Sequence, residues 1–317
     1  MPDSFILFGG TFDPIHKGHL LVARNALREL RADRVIFVPA KNPRWKLPSD
    51  SRHRLNMLKL GLAGEPRFEI SLYEMESKAE VSYSVATVKH YRELYPQARI
   101  YFLMGFDQLD RLDEWHDIRE LCREAQLVAY ARPGFPKNHE AVRKYNVRII
   151  EYSDLVDLSS TEIRSLRSLM TKKSVIDYII ANDLYFAKTV RGYYEPQRYE
   201  HAVSVANLAY AMALGNSPEP TKAYQAGYLH DVGKMMARED DAARMMKRFF
   251  PKYAAYPQWS WHQFLGELTT RYFFGIRQRS VLDAILYHTT GSGHMGKYAK
   301  IAFPADKLDP RLCGVCL

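Results

Sequence analysis

A chain of 317 residues with 47% hydrophobic and 13% aromatic content has more than enough apolar material for one core, and its length points to two domains. It has no apolar run near the roughly eighteen residues of a membrane span, no basic segment ahead of its first apolar run, and only three cysteines, Cys122, Cys313 and Cys316, too few for a disulfide framework. A cytoplasmic protein with no membrane partner is therefore expected. The formal net charge of +9 favours anionic ligands. Without an arginine-rich tract, zinc-finger spacing or an aromatic-basic motif, nucleotides and phosphates are expected in preference to nucleic acid.

In chain order, residues 5–8 read as a strand and 20–30 as a helix. Between them lies Gly9-Gly10-Thr11-Phe12-Asp13-Pro14-Ile15-His16-Lys17-Gly18-His19. A strand, a glycine loop and a helix start aim backbone N–H groups at an anion. The glycines would leave room for a ligand against the backbone. His16 and His19, three apart, would face the same ligand. Further strands are expected at 35–38, 68–72, 100–104, 127–131 and 147–150, and helices at 54–62, 84–94 and 118–123. This alternation predicts an α/β, doubly wound parallel sheet, with ligands beyond the carboxyl ends of the strands. Ser159 and Glu162 fit a capping box. Three hydroxyls, Ser159, Ser160 and Thr161, with Arg164 one turn on, would form a second phosphate cradle. After about residue 190 the pattern turns helical, as at 202–214 and 242–250. His201, His230-Asp231 and Asp306 punctuate this stretch, with His262 and His288 between. Imidazoles and carboxylates in such a set suit a divalent transition metal that keeps positions open for water and phosphate.

The histidine loop resembles the nucleotidyltransferase signature with its H-x-G-H core, here His16-Lys17-Gly18-His19. Members join a nucleoside triphosphate to a phosphate acceptor on a Rossmann-like parallel sheet. The resemblance narrows to nicotinate-nucleotide adenylyltransferases through Leu158-Ser159-Ser160-Thr161-Glu162-Ile163-Arg164, Asn42-Pro43-Arg44-Trp45-Lys46, Ser82-Tyr83-Ser84-Val85-Ala86-Thr87, Gly105-Phe106-Asp107, Trp115 and Arg132-Pro133-Gly134. Leu158 and the Arg44-Trp45 pair depart from the family pattern. The resemblance implies His16 and His19 as catalytic residues. It implies an ATP site of Gly9, Gly10, Thr11, Phe12, Ser159, Ser160, Thr161 and Arg164, with Mg2+. It assigns the mononucleotide to Lys46, Tyr83, Thr87, Asp107, Trp115 and Arg132.

The second half resembles the HD-domain phosphohydrolases, and within them the bacterial hydrolases that split diadenosine tetraphosphate symmetrically. The residues that carry this are Arg198-Tyr199-Glu200-His201, Leu229-His230-Asp231, Tyr287-His288-Thr289-Thr290-Gly291 and Ala305-Asp306-Lys307-Leu308-Asp309-Pro310. It implies an all-α HD domain with an iron, manganese or similar ion on His201, His230, Asp231 and Asp306. His262 and His288 are further candidates, and Lys234 is a phosphate contact.

The expected organisation is a nucleotidyltransferase domain over 1–187 and an HD domain over 190–317 that ends earlier than its relatives. The expected partners are ATP, nicotinate mononucleotide and dinucleoside polyphosphates. Two alternatives stay open. The acceptor could be nicotinamide mononucleotide or phosphopantetheine, and the HD half could be a nucleotide-sensing module.

Overall fold

The computed structural model describes residues 4–41, 48–78, 81–131, 140–151, 158–309 and 311. The chain divides into two compact units, Met1–Ser160 and Thr161–Leu317.

The first unit is built on six strands: β1 (Ser4–Gly10), β2 (Arg34–Pro39), β3 (Phe68–Ile70), β4 (Arg99–Gly105), β5 (Gln126–Ala131) and β6 (Arg148–Glu151). They form one sheet in the order β3-β2-β1-β4-β5-β6, and every neighbouring pair is parallel. All six coincide with the expected apolar runs. Phe5, Ile6, Leu7 and Phe8 are all buried, so β1 is covered on both faces, which is why its sequence is a continuous apolar run and not an alternation. The strand order reverses between β1 and β4, the place where sheets of this kind bind ligands beyond the carboxyl ends of their strands. The helices are α1 (Lys17–Leu30), α2 (Ser51–Leu62), α3 (Tyr73–Glu76), α4 (Ser84–Leu94), α5 (Ile118–Glu124) and α6 (Glu140–Lys144). A 3-10 helix over Phe106–Glu114 follows β4. In α1, Leu20, Ala23, Leu27 and Leu30 are buried, and the helix stops at Arg31, whose φ of 51° is left-handed.

Helix α7 (Ser160–Arg164) starts on the last residue of the first unit. The second unit continues through α8 (Lys173–Ala181), α9 (Phe186–Arg191), α10 (Pro196–Ala213), α11 (Pro220–Leu229), α12 (Ala242–Phe249), α13 (Trp261–Tyr272), α14 (Arg279–Tyr287) and α15 (Lys297–Leu308). Helix α10 packs on α11 and α15, and α14 packs on α11, α13 and α15. No helix among the described residues is long and apolar enough to cross a membrane.

The compact-unit boundary falls earlier than the expected one near 187. Helices α8 and α9 join the helical unit because their side chains pack there. The Phe186 ring meets Tyr228 at 6.1 Å, the Lys173 ammonium lies 4.9 Å over the Tyr224 ring, and the Gln225 amide donates to the Leu166 carbonyl.

Candidate active sites

The histidine loop leaves β1 at the strand-order reversal and enters α1. His16 is the N-cap of α1, and its backbone N–H donates to His19 Nδ1 at 3.2 Å. The two imidazoles stack with centroids 3.6 Å apart. Thus the spacing expected to bring both histidines to one ligand does bring them together, at a helix N-terminus where anions are favoured. The loop is braced from behind. Asp13 accepts from the Ser49 N–H at 3.1 Å and from its hydroxyl at 2.5 Å. Arg54, only 1% exposed, donates to the carbonyls of Thr11, Lys41 and Ser49 at 3.0, 3.1 and 3.0 Å. One buried guanidinium thereby fixes the segments that follow β1 and β2. Sequence reasoning missed Arg54, because an arginine inside a helical pattern looks like a solvated surface residue. The Ser160 hydroxyl, at the start of α7, donates to the Pro14 carbonyl at 2.9 Å and ties that residue to the loop.

Four of the residues expected at the nucleotide are also held by packing within the chain. A Cβ on Gly9 would stand 3.1 Å from the Phe102 ring, and one on Gly10 2.9 Å from the Phe12 ring. Packing of the chain's own aromatics therefore requires a small residue at both positions. Phe12 is 1% exposed and packs on Phe8, Phe37 and, edge-on at 5.2 Å, His19, so its ring supports a histidine of the loop. Thr87 is fully buried and donates its hydroxyl to Glu74 at 2.7 Å, a structural role. Burial raises the pKa of Glu74, and the hydroxyls of Thr87 and Ser82 offset part of that rise.

Of the other mononucleotide candidates, Asp107 is exposed just beyond β4 and accepts from the Gln108 amide at 2.8 Å. Trp115 is half-buried, edge-on to Phe102. Tyr83 is exposed and stacks on His116 at 4.4 Å. Lys46 and Arg132 lie outside the described residues, as do Cys313 and Cys316. Thr161 and Arg164 share α7, where the Arg164 guanidinium donates to the Thr161 hydroxyl at 3.0 Å.

In the second unit the structure gathers all six candidate ligands. His201 comes from α10, His230 and Asp231 from the turn after α11, His262 from the first turn of α13, His288 from the end of α14, and Asp306 from α15. All are at least 94% buried. Gly233 makes this possible. A Cβ there would stand 2.3 Å from the His262 carbonyl oxygen and 2.4 Å from the Gly266 nitrogen, so only glycine lets the His230-Asp231 turn approach α13.

Each imidazole is oriented by its Nδ1. His230, His262 and His288 donate to the carbonyls of Gly227, Trp259 and Ile285, each at 2.7 Å. His201 Nδ1 donates to the Asp309 carboxylate at 2.5 Å. All four Nε2 atoms therefore face the centre. Two donor sets follow, His201-His230-Asp306 and His230-Asp231-His288. His201 and His230 Nε2 lie 3.2 and 3.4 Å from Asp306 Oδ1. His262 and His288 Nε2 lie 3.1 Å from each other and 3.4 Å from Asp231 Oδ1. The nearby Thr289 hydroxyl carries one proton and can satisfy only one of its two imidazole neighbours. His230 Nε2 is buried without a hydrogen-bond partner. Inward-facing lone pairs at such separations repel unless a cation lies among them, so this donor set fits a divalent metal.

The electrostatics agree. Burial opposes the charge on Asp231, yet His230, His288 and Lys234 hold its carboxyl well below the usual range. Burial likewise opposes the charge on Asp306, but the close imidazoles of His201 and His230 hold its carboxyl well below the usual range. Burial, then repulsion from His288, pushes His262 to about 3, and burial also lowers His288. Both imidazoles are thus in the neutral, metal-binding form. Burial works against protonation of His230 too, but Asp231 and Asp306 raise it. Three cations rim the cluster: Lys234 lies 3.1 Å and Arg198 3.5 Å from Asp231 Oδ2, and Lys307 lies 2.7 Å from Asp306 Oδ2.

Asp309 is a site residue without an expected role. It is fully buried, receives His201 Nδ1 on one oxygen and the Ser204 hydroxyl on the other at 2.8 Å. Its signal was the three-residue spacing from Asp306, which places both near one helix face. Asp309→Asn should weaken metal binding roughly 10- to 100-fold, as loss of an orienting partner does, with little change in thermal midpoint. Metal titration of the variant measures this, and unchanged affinity would remove the orienting role.

Residues 7–166 match the cytidylyltransferase-like family and residues 198–311 the HD domain. Over 313 residues the chain is 30% identical to the probable nicotinate-nucleotide adenylyltransferase/Ap4A hydrolase of Mycoplasma genitalium, covering 98% of this chain and 88% of that protein. The chain belongs to this family of nucleotidyltransferases fused to an HD domain. The Mycoplasma pneumoniae protein of the same description is 31% identical over 314 residues, with 96% and 88% covered. A solved nicotinic acid mononucleotide adenylyltransferase from Plasmodium falciparum, complexed with NaAD, aligns with 58% of this chain and 97% of its own at a TM-score of 0.50 and 23% identity. That likeness supports the fold of the transferase segment. The family match to residue 166 carries that segment past Ser160 and through α7.

Proposed function

We propose that the chain is a bifunctional enzyme. Residues 1–187 transfer AMP from ATP to nicotinate mononucleotide, and residues 190–317 hydrolyse diadenosine tetraphosphate to two ADP. The observation that carries this reading is the presence of two chemically different constellations, the stacked His16-His19 pair and the four-imidazole, two-carboxylate cluster.

In the first reaction an oxygen of the acceptor phosphate attacks the α-phosphorus of ATP. The bond to the oxygen bridging to the β-phosphate breaks, and pyrophosphate leaves with Mg2+. No protein nucleophile is needed. His16 and His19, with the N-terminal N–H groups of α1, hold phosphate oxygens and stabilise the charge that grows on them. Ser159, Ser160, Thr161 and Arg164 are assigned to the triphosphate. Tyr83, Asp107 and Trp115, with Lys46 and Arg132, are assigned to the acceptor.

In the second reaction water attacks one of the two central phosphorus atoms, and the bridge between them breaks. A divalent transition metal such as iron or manganese, when bound, supplies Lewis acidity toward phosphoryl oxygen and acidifies water. His201, His230 and Asp306 would hold it, with Asp231, His262 and His288 as the second donor group. The two oxygens of Asp231 face different neighbours, Oδ1 toward His262 and His288 and Oδ2 toward His230 and Lys234. Asp231 would thus join the two donor groups through one carboxylate. Lys234, Arg198 and Lys307 would neutralise the oligophosphate chain.

The acceptor is tested by giving the intact chain ATP with nicotinate mononucleotide, nicotinamide mononucleotide or phosphopantetheine and resolving the products. Deamido-NAD should form at least about tenfold faster than either alternative product, a preference equivalent to about 1.4 kcal/mol. A faster reaction with phosphopantetheine or the amide would replace the proposed acceptor.

A further inference from the structure

The proposed chemistry beyond the carboxyl ends of β1 and β4 leaves the other end of the sheet unused. There, at the starts of β4, β5 and β6 and beside α5 and α6, lies a cavity of about 830 Å³. Arg92, Arg99, Arg119, Arg123, Lys144 and Arg148 line it, against one lining carboxylate, Glu124.

Part of this charge has a local explanation. Arg92 pairs with Glu124 and donates to the carbonyls of Pro96 and Ala98. Arg123 pairs with Glu120, and Lys144 with Asp113. Arg92, Arg123 and Lys144 also lie in the last turns of their helices, where cations are favoured. The remaining three arginines have no such reason. Arg99 and Arg148 open β4 and β6. Arg119 lies in the first turn of α5, where the helix field disfavours a cation. Among the described residues none of these three pairs with a carboxylate, and Arg148 makes a single bond, to the Glu29 carbonyl at 3.2 Å. Arg99, Arg119 and Arg148 are exposed and line one cavity without a carboxylate partner among the described residues, so their guanidiniums can donate bidentate hydrogen bonds to an oligoanion.

The aromatic lining does not favour a base. Tyr101 is 4% exposed, and the Tyr145 ring is already met by the Lys144 ammonium at 5.3 Å while its hydroxyl bonds Asp113. We propose that this cavity is a second anion site that binds an oligophosphate chain through Arg99, Arg119 and Arg148. The phosphate chain could belong to inorganic polyphosphate or to a nucleoside polyphosphate.

Calorimetric titration of the intact chain with tripolyphosphate, and separately with GTP, tests this. The wild type should bind tripolyphosphate in one more event than Arg99→Gln/Arg148→Gln, or that event should weaken at least tenfold in the variant. Arg119→Gln should act in the same direction, and Arg99→Lys/Arg148→Lys, which keeps the charge but not the bidentate fork, should lose less affinity than the glutamine pair. Adenylyl transfer without added oligophosphate, and the thermal midpoint, should be unchanged in all, which separates this site from the catalytic site. Tighter binding of GTP than of tripolyphosphate assigns the site to a nucleoside polyphosphate, and equal binding to the phosphate chain alone. Identical titrations for the wild type and both glutamine variants would overturn the proposal. So would arginine-dependent binding of single-stranded RNA without binding of tripolyphosphate.

Discussion

Asp231→Ala is expected to lower diadenosine tetraphosphate hydrolysis by about a thousand-fold or more, because the several kcal/mol of charge stabilisation supplied through the metal is lost with its ligand. Asp231 faces three of the four imidazoles, those of His230, His262 and His288. Its Oδ1 lies 3.4 Å from His262 and His288 Nε2, and its Oδ2 lies near His230, Arg198 and Lys234. Without it, imidazoles and two cations surround an emptied centre, so bound metal should fall with activity. Adenylyl transfer should stay within about twofold, since a substitution in a separate compact unit couples weakly. Removing a buried charge can also unfold its surroundings. Asp231→Asn therefore accompanies the alanine variant: it keeps the shape but not the charge, and should lose metal and hydrolysis with a near-native thermal midpoint. Metal analysis, melting and both assays on the same samples check this. A variant that keeps full hydrolysis would exclude the cluster as the hydrolytic centre. A wild type that holds metal without turnover would make the second unit a sensing module.

His16→Ala should produce the opposite pattern, a fall in adenylyl transfer of roughly 100- to 1,000-fold, the usual cost of losing one positioned donor to developing negative charge. Hydrolysis should be unchanged. His16 is 6% exposed, stacked on His19 and located at the N-cap of α1, so part of any loss could come from the helix start. His16→Asn separates the two roles. Asparagine is a good N-cap, which a helix start values at about 1 kcal/mol, but it lacks the imidazole. If Asn restores the thermal midpoint and not the activity, His16 acts on the nucleotide. If Asn restores both, His16 is only a cap. Steady-state rates with saturating and limiting ATP record the outcome.

The sheet was legible in the sequence because each parallel strand is buried on both faces and so appears as a short, uninterrupted apolar run. The 3-10 helix over Phe106–Glu114 and the four- and five-residue helices α3 and α6 were not, since so few residues establish no period. The HD ligands were legible as an ordered set of histidines and aspartates. The structure strengthens His262 and His288, whose Nε2 atoms meet over Asp231. Asp309 and Arg54 were hidden for a common reason: both act by holding another group, His201 in one case and three backbone carbonyls in the other. Spacing reveals side chains that converge on a ligand far better than those that brace them. Phe12 and Thr87 are the converse. Each lies inside a recognisable motif, yet burial gives Phe12 to His19 and Thr87 to Glu74. The compact-unit boundary was not legible, because α8 and α9 follow the transferase motif in sequence while their side chains pack among the helices of the second unit.

Two enzymes on one chain require two product sets from one preparation. The most direct measurement incubates the purified intact chain with Mg2+ and Mn2+, one aliquot with ATP and nicotinate mononucleotide and another with diadenosine tetraphosphate, and separates the nucleotides by chromatography. Deamido-NAD with equimolar pyrophosphate in the first, and ADP alone in the second, are the expected products. Absence of either set, or AMP plus ATP from the tetraphosphate, would contradict the assignment of a transferase site at His16-His19 and a symmetrical hydrolase site at His201, His230, Asp231 and Asp306.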